Sequence, residues 1–366
     1  MKIIPISKPY EIQRAAKGVE KIIKKDWISS GGQNVLEFEK LFAKFVGAKY
    51  AISMSNGTVA LISALSVIIK KNDFVALPSL TFGACANAVL SVCARPVFID
   101  SEKNNWLISL EDLKKKYKEK PFKALINVHL NGFASDIIKI RKFCRENNIF
   151  LIEDCAESFG TKVGKKHVGT FGEVGTFSFF ANKTITTGEG GMCITNNAKI
   201  ANKIKILRDH GMDPKKKYWH ISKGYNHRIT NLQATIGISQ IKIANKIFQL
   251  RNKIFYEYKK ELKNKEFYEN IETPKNMYPV MWYFPFTIRK KFKSKKKPLI
   301  NFLKKNMIET RNFFYPLDQM KVFSNKSNCI NSREISNRSF YLPLYPDLTI
   351  KKVRYICRKI KKFFDD

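Results

Sequence analysis

Acidic residues and histidines are scarce in this chain, and several patterns that mark a metal, membrane or redox protein are missing. Its 366 residues hold 31 Asp and Glu against 67 Lys and Arg, with 5 His. The 7 cysteines (Cys85, Cys93, Cys144, Cys155, Cys193, Cys329, Cys357) form no CxxC pair and have no histidine cluster beside them, so no metal site is expected. Their odd number and mostly apolar settings predict free, buried thiols in a reducing compartment, and hence a cytoplasmic protein. No apolar run approaches the length of a membrane span, and residues 1–10 lack the apolar core of a secretory leader. Internal repeats and low-complexity linkers are absent too.

The shortage of acid leaves a formal charge of +36. Such an excess attracts polyanions, and nucleic acid is the first to consider. Against it, the chain shows no zinc finger, RNA-binding aromatic signature or helix-turn-helix. Its lysines are spread over 21–25, 114–120, 215–217, 259–265 and 290–305, and Lys, Ile and Asn are abundant together, as a compositional bias produces. Neither a nucleic-acid nor a membrane partner is expected, although a nucleoside diphosphate would be drawn to such a surface.

What is present is a regular alternation. Strand-like apolar runs at 50–54, 74–77, 96–100, 124–129, 150–154, 175–180 and 191–195 are interleaved with helical spacing at 57–69, 81–92, 110–118 and 136–147. This predicts an α/β domain whose mostly parallel sheet of seven strands lies between helices, with ligands gathering at the carboxyl ends of the strands. After residue 240 the texture changes to a long basic helix at 241–265, short strands at 281–288 and a helix at 298–306. The expected organisation is a large domain over 1–245 and a small α+β domain over 246–366.

Three segments carry chemistry. Ser55-Asn56-Gly57-Thr58 follows a strand and opens a helix. It is either a phosphate cradle at a helix N-terminus or an ordinary turn capped by Ser or Thr. Glu153-Asp154-Cys155-Ala156-Glu157 ends a strongly apolar strand. Its carboxylates suit a site with a cationic partner, and Asp154 could equally cap a helix. In Ser178-Phe179-Phe180-Ala181-Asn182-Lys183-Thr184, one lysine sits between an apolar strand and a Gly-rich loop. Desolvation there would lower its pKa and make it a nucleophile, whereas a solvated lysine beside a turn is the plain alternative.

Together these segments resemble the DegT/DnrJ/EryC1/StrS family of sugar aminotransferases that use pyridoxal 5'-phosphate (PLP), and within it the perosamine-forming branch. The likeness also runs through Trp27-Ile28-Ser29-Ser30-Gly31, Pro78-Ser79-Leu80-Thr81-Phe82, Val168-Gly169-Thr170-Phe171-Gly172, Leu207-Arg208-Asp209-His210-Gly211, Gly224-Tyr225-Asn226-His227-Arg228 and Glu309-Thr310-Arg311-Asn312-Phe313-Phe314-Tyr315. It implies the fold-type I aminotransferase architecture. It also implies that Lys183 bonds covalently to PLP and moves protons, that Asp154 pairs with the pyridine nitrogen, and that Gly57, Thr58 and Ser178 hold the phosphate. By the same resemblance Phe82 stacks on the ring and Glu157 lies near its face. Asn226 and Arg228 reach the cofactor of a second subunit in a homodimer, and Trp27, Ser29, Ser30, Arg311, Phe313 and Tyr315 contact the sugar nucleotide, with Lys162 and Lys165 as weaker contacts. Phe313 and Tyr315 could instead be core residues of the small domain.

The implied reaction moves an amino group from L-glutamate to C4 of a nucleotide-linked 4-keto-6-deoxy sugar. GDP-4-keto-6-deoxymannose is the first choice of acceptor, and UDP- or dTDP-4-keto-6-deoxyglucose the alternative. Ala181, His227 and Asn312 depart from the usual pattern without removing a catalytic group. Lysine at 183 favours transamination over 3-dehydration, since dehydrating relatives carry histidine there. A binding-only relative would lack the lysine or its acidic partner, and both are present.

Overall fold

The computed structural model describes residues 3–25, 27–323 and 327–365. Seven strands form the main sheet: β1 (Tyr50–Met54), β2 (Phe74–Pro78), β3 (Arg95–Ile99), β4 (Ala124–Val128), β5 (Phe150–Asp154), β6 (Val174–Ser178) and β7 (Gly191–Thr195), in the order β1-β7-β6-β5-β4-β2-β3. β4 and β7 are buried at every position, which is why they read as unbroken apolar runs rather than alternating ones. Pairing is parallel from β3 through β6. Only β7 is reversed, antiparallel to both β1 and β6. β1 to β6 therefore all end on one edge of the sheet.

Each strand predicted for this sheet is present, within two residues at either end. The helix after β2 begins at Ala84 rather than at 81, leaving Thr81 and Phe82 in a turn at the strand's end. The single basic helix expected at 241–265 is two, Asn231–Lys242 and Ala244–Leu262, broken where Ile243 leaves helical geometry at φ −111° and ψ 8°. Thr230 and Gln233 close a capping box at the start of the first, a signal that apolar spacing alone passes over.

The C-terminal region holds a second sheet, with β10 (Ser339–Leu342) between β8 (Phe284–Thr287) and β9 (Arg311–Asn312), all antiparallel. Where short strands were expected over 281–288, the described residues hold one, four residues long. Helices Lys296–Lys305 and Ile350–Asp365 pack on each other, and the second also packs on the helix Ala244–Leu262. The first residues of the chain cross to this region: the Ile4 N–H donates to Met307 O at 2.8 Å, and the Ile6 N–H to the Glu309 carboxylate at 2.8 Å. All seven cysteines are free; six are buried, and Cys93 is exposed in a left-handed turn at φ 56°. No helix among the described residues is long and apolar enough to cross a membrane.

Candidate active site

The carboxyl ends of β1, β2, β4, β5 and β6 surround a cavity of about 510 Å³, within the ordinary range for small-molecule sites. After β1, Asn56 rather than Ser55 or Thr58 caps the helix Gly57–Ser66, its side chain accepting from the Val59 N–H at 3.0 Å. That cap leaves Gly57 and Thr58, at the first two helical positions, with N–H groups that have no intrahelical partner. The turn packs flush on the sheet. A Cβ added at Gly57 would stand 2.8 Å from Ser178 Cβ, and one at Gly191 would stand 2.3 Å from Asn56 O. Gly57, Thr58 and Ser178 therefore line one end of the cavity, where unpaired helix N–H groups suit an anion.

β5 separates its two acids by strand alternation. Asp154 lines the cavity, while Glu153 points to the other face. No helix starts at Asp154. Its Oδ1 accepts from the Ala156 N–H at 2.9 Å, and its Oδ2 lies 3.2 Å from the Cys85 thiol, which burial and Asp154 itself push well above the usual thiol range and so keep protonated. Glu153 accepts from the Gly169, Phe171 and Gly172 N–H groups at 2.8, 2.7 and 2.6 Å and lies 2.8 Å from His129 Nε2. His129, Glu153 and Cys155 are near enough to surround a metal ion, but both Glu153 oxygens are already committed to these donors.

Lys183 follows β6 in a turn closed by its own N–H donating to Phe180 O at 2.9 Å. Nζ lies 3.6 Å from Glu157 and 4.2 Å from the ring centroid of Trp282, and the side chain is 13% exposed. Burial lowers the Lys183 pKa, with Glu157 and Asp154 acting against it and Arg311 with it. Burial likewise pushes Glu157 up to about 7, against the pull of Lys183 and of the Asn131 N–H, which donates to Glu157 Oε2 at 3.0 Å. The pair is a desolvated amine beside a carboxyl group able to exchange a proton near neutral pH.

The sign of that shift is testable. Because the folded pKa of Glu157 lies above its ordinary value of 4.5, its contribution to stability is full below about pH 4.5 and is lost as pH rises through about 7. Glu157→Gln should remove that slope. In urea melts of the cofactor-free protein, wild type should lose ground to the variant between about pH 5 and about pH 8. A constant difference across that range would refute the assignment.

The remaining wall comes from the C-terminal region. Trp282, Arg311 and Phe314 line the cavity, and Phe82 approaches Phe314 at 6.0 Å between centroids. The Trp282 indole N–H donates to Asn182 O at 2.9 Å, tying this wall to the lysine turn. The buried Arg251, on the long helix Ala244–Leu262, holds the backbone there by donating to Met281 O at 3.1 Å and Trp282 O at 2.8 Å. An aromatic face over an ammonium favours the charged form by about 0.5–2 kcal/mol. Trp282→Leu should therefore lower the pH at which Lys183 of the cofactor-free protein becomes reactive to an amine label by roughly half to one unit, read by peptide mass. An unchanged midpoint would remove Trp282 from this role.

Of the residues singled out from sequence, Gly57, Thr58, Phe82, Asp154, Glu157, Ser178, Lys183 and Arg311 come together around this cavity. Phe313 does not: it is 2% exposed and stacks on Tyr341 at 4.8 Å, in the core of the C-terminal region, while its neighbour Phe314 faces the cavity. β9 is too short to set a dependable alternation there. Trp27 and Tyr315 are exposed and line no part of the cavity within one chain. Ser29, exposed, and Ser30, half-buried, line no part of it either; Trp27 O and Ser29 O accept hydrogen bonds from Asn231. Lys162 and Lys165 belong to a small hairpin away from the cavity. Asn226 bridges to Asp209, and Arg228 forms an ion pair with the same Asp209, so both stand outside this chain's own cavity. Sequence reasoning missed Trp282, Asn56 and Phe314. Trp282 lies in an apolar run that reads as core, whereas Asn56 stood between Ser55 and Thr58, the two caps expected.

A largely buried amine beside a carboxyl group, with helix N–H groups facing the same cavity at the strand ends, fits the class shown by the relatives, a PLP-dependent aminotransferase. The chain belongs to the DegT/DnrJ/EryC1/StrS aminotransferase family, whose model matches residues 9–361. It is 36% identical over 368 residues to a GDP-perosamine synthase of Escherichia coli O157:H7, covering 100% of both chains. To a GDP-perosamine synthase of Vibrio cholerae it is 38% identical over 367 residues, covering 99% of this chain and 100% of the other. Among solved structures, Helicobacter pylori PseC, an aminotransferase involved in the biosynthesis of pseudoaminic acid, superposes with a TM-score of 0.93 at 25% identity over 100% of both chains.

Proposed function

We propose that the protein transfers the amino group of L-glutamate to C4 of GDP-4-keto-6-deoxy-D-mannose, giving GDP-perosamine. The observation that carries this is a desolvated amine, 3.6 Å from a buried carboxyl group, in a chain similar from end to end to two GDP-perosamine synthases. The cavity fits PLP. Gly57, which has no Cβ to spare room for, would hold the phosphate together with Thr58 and Ser178; Asp154 would face the ring nitrogen, and Phe82 would cover the ring. PLP, when bound, supplies an electron sink for negative charge at the reacting carbon.

The work of the chain is then proton handling and positioning. Lys183 Nζ removes a proton from the donor's α-carbon and later delivers one to C4 of the acceptor, acting as base and acid in turn. Glu157, titrating near 7, takes up or returns the proton that lets Nζ alternate. Trp282 and Phe314 exclude water, and Arg311, held by Tyr283 at 3.2 Å, offers a cation to an anionic substrate. Over the two half-reactions the donor leaves as its 2-oxo acid and the keto sugar leaves as the amine.

We assign the cofactor to a large domain over 1–245 and much of the sugar contact to a small domain over 246–366, in a cytoplasmic homodimer. A second copy of the chain would bring Asn226 and Arg228 to the phosphate and complete the substrate pocket. This accounts for the exposure of Trp27, Phe82 and Tyr315 in the single chain. The test is incubation with L-glutamate and a panel of GDP-, UDP- and dTDP-linked 4-keto-6-deoxy sugars, with products read by mass and NMR. A GDP-linked 4-amino sugar is the expected product. A strong preference for the dTDP or UDP acceptor would overturn the nucleotide assignment, and a 3-deoxy product would overturn the reaction.

A further inference from the structure

Two stretches of the C-terminal region contain no acid at all. Residues 288–307 and 350–364 together carry 16 Lys and Arg and no Asp or Glu, although the whole chain has 67 against 31. A uniform bias toward lysine would leave about three acids in 35 residues and about six bases, so the local excess is more than compositional drift. Far apart in sequence, these stretches lie side by side in the fold. Phe302 of helix Lys296–Lys305 meets Phe363 of helix Ile350–Asp365 at 5.4 Å between centroids, and Lys295 Nζ lies 5.6 Å from the Phe363 ring. Among the described residues, acid from elsewhere reaches only Lys291, Lys293, Arg354 and Lys361. Lys304, Lys305, Lys352 and Lys362 are exposed and form no ion pair among the described residues.

We propose that this face docks the enzyme on an anionic phospholipid bilayer. Of its 16 bases 13 are lysines, point charges that suit mobile headgroups and lack the bidentate fork used to read bases. Its phenylalanines are half-buried and packed on one another, leaving none free to stack on a nucleobase. Beside Lys304 and Lys305 the face exposes two apolar side chains, Ile3 at 60% and Met307 at 37%, brought together by the Ile4–Met307 backbone bond and able to enter the headgroup layer. None of these residues lines the catalytic cavity, so docking leaves it free.

The experiment is co-sedimentation of the PLP-loaded enzyme with vesicles of phosphatidylcholine mixed with phosphatidylglycerol, against phosphatidylcholine alone, at low and high salt. The wild type should bind the anionic vesicles, with affinity falling as salt rises. Joint replacement of Lys304, Lys305, Lys352 and Lys362 by Glu should weaken binding by about tenfold or more at unchanged aminotransferase activity. The same charge change at the exposed Lys70, Lys114, Lys118 and Lys203 should leave binding within about twofold of wild type. Equal loss in both variants would show that net charge alone is read and would overturn the site. Absence of vesicle binding, or tighter binding to duplex DNA or RNA at matched salt, would overturn the partner.

Discussion

Lys183→Ala is expected to lower transamination by roughly 10³-fold or more. Borohydride reduction should then no longer fix PLP to the chain. The argument is one of position: Nζ is the amine that lines the cavity, with Glu157 at 3.6 Å and Asp154 on the adjoining strand end. The carboxylates and the helix N–H groups stay in place in the variant, so PLP should still bind, without a covalent link, and its absorption should change accordingly. An exogenous small amine should restore part of the proton transfer. Turnover within tenfold of wild type would end the assignment of Lys183, and a variant that binds no PLP would shift its role from chemistry to binding.

Glu153→Ala should cause the largest loss of stability, about 3–5 kcal/mol in urea unfolding. This carboxylate is fully buried and accepts from three backbone N–H groups of the loop Val168–Gly172 and from His129. Burial alone would raise its pKa, but the His129 contact and the backbone donors overcome that, and the net shift is downward. With a folded pKa below the unfolded one, its stabilisation is complete above about pH 4.5 and drains away as pH falls through the folded value. The deletion leaves those donors without an acceptor in a dry interior. Glu153→Gln keeps part of the hydrogen bonding and should recover part of the loss. A deficit below about 1 kcal/mol in the alanine variant would mean that the loop finds other partners.

These two neighbours show where sequence reasoning stops. Glu153 and Asp154 are adjacent acids at the end of one apolar strand and read as a pair. Strand alternation puts them on opposite faces, where one holds a loop and the other lines the site. A period of two is visible in a half-buried strand, but β5 is buried on both faces, so its hydrophobic pattern carries no mark of which side faces a ligand. The same limit explains Phe313 and Phe314. Both are large and apolar, and only the position of a two-residue strand decides which one enters the core.

By itself the chain's order of residues determined the alternating α/β architecture and pointed to Gly57, Thr58, Asp154 and Lys183, which the structure gathers around one cavity at the strand ends. Such features are local: apolar period, capping chemistry and the Gly needed for close approach act within a few residues. The tertiary structure alone decided that Trp282, some hundred residues after Lys183, covers its amine, and that Arg251 holds that tryptophan in place. It alone brought the bases of 288–307 beside those of 350–364. These juxtapositions depend on how separate elements pack, and packing is set by shape and buried area between surfaces that no short window of sequence contains.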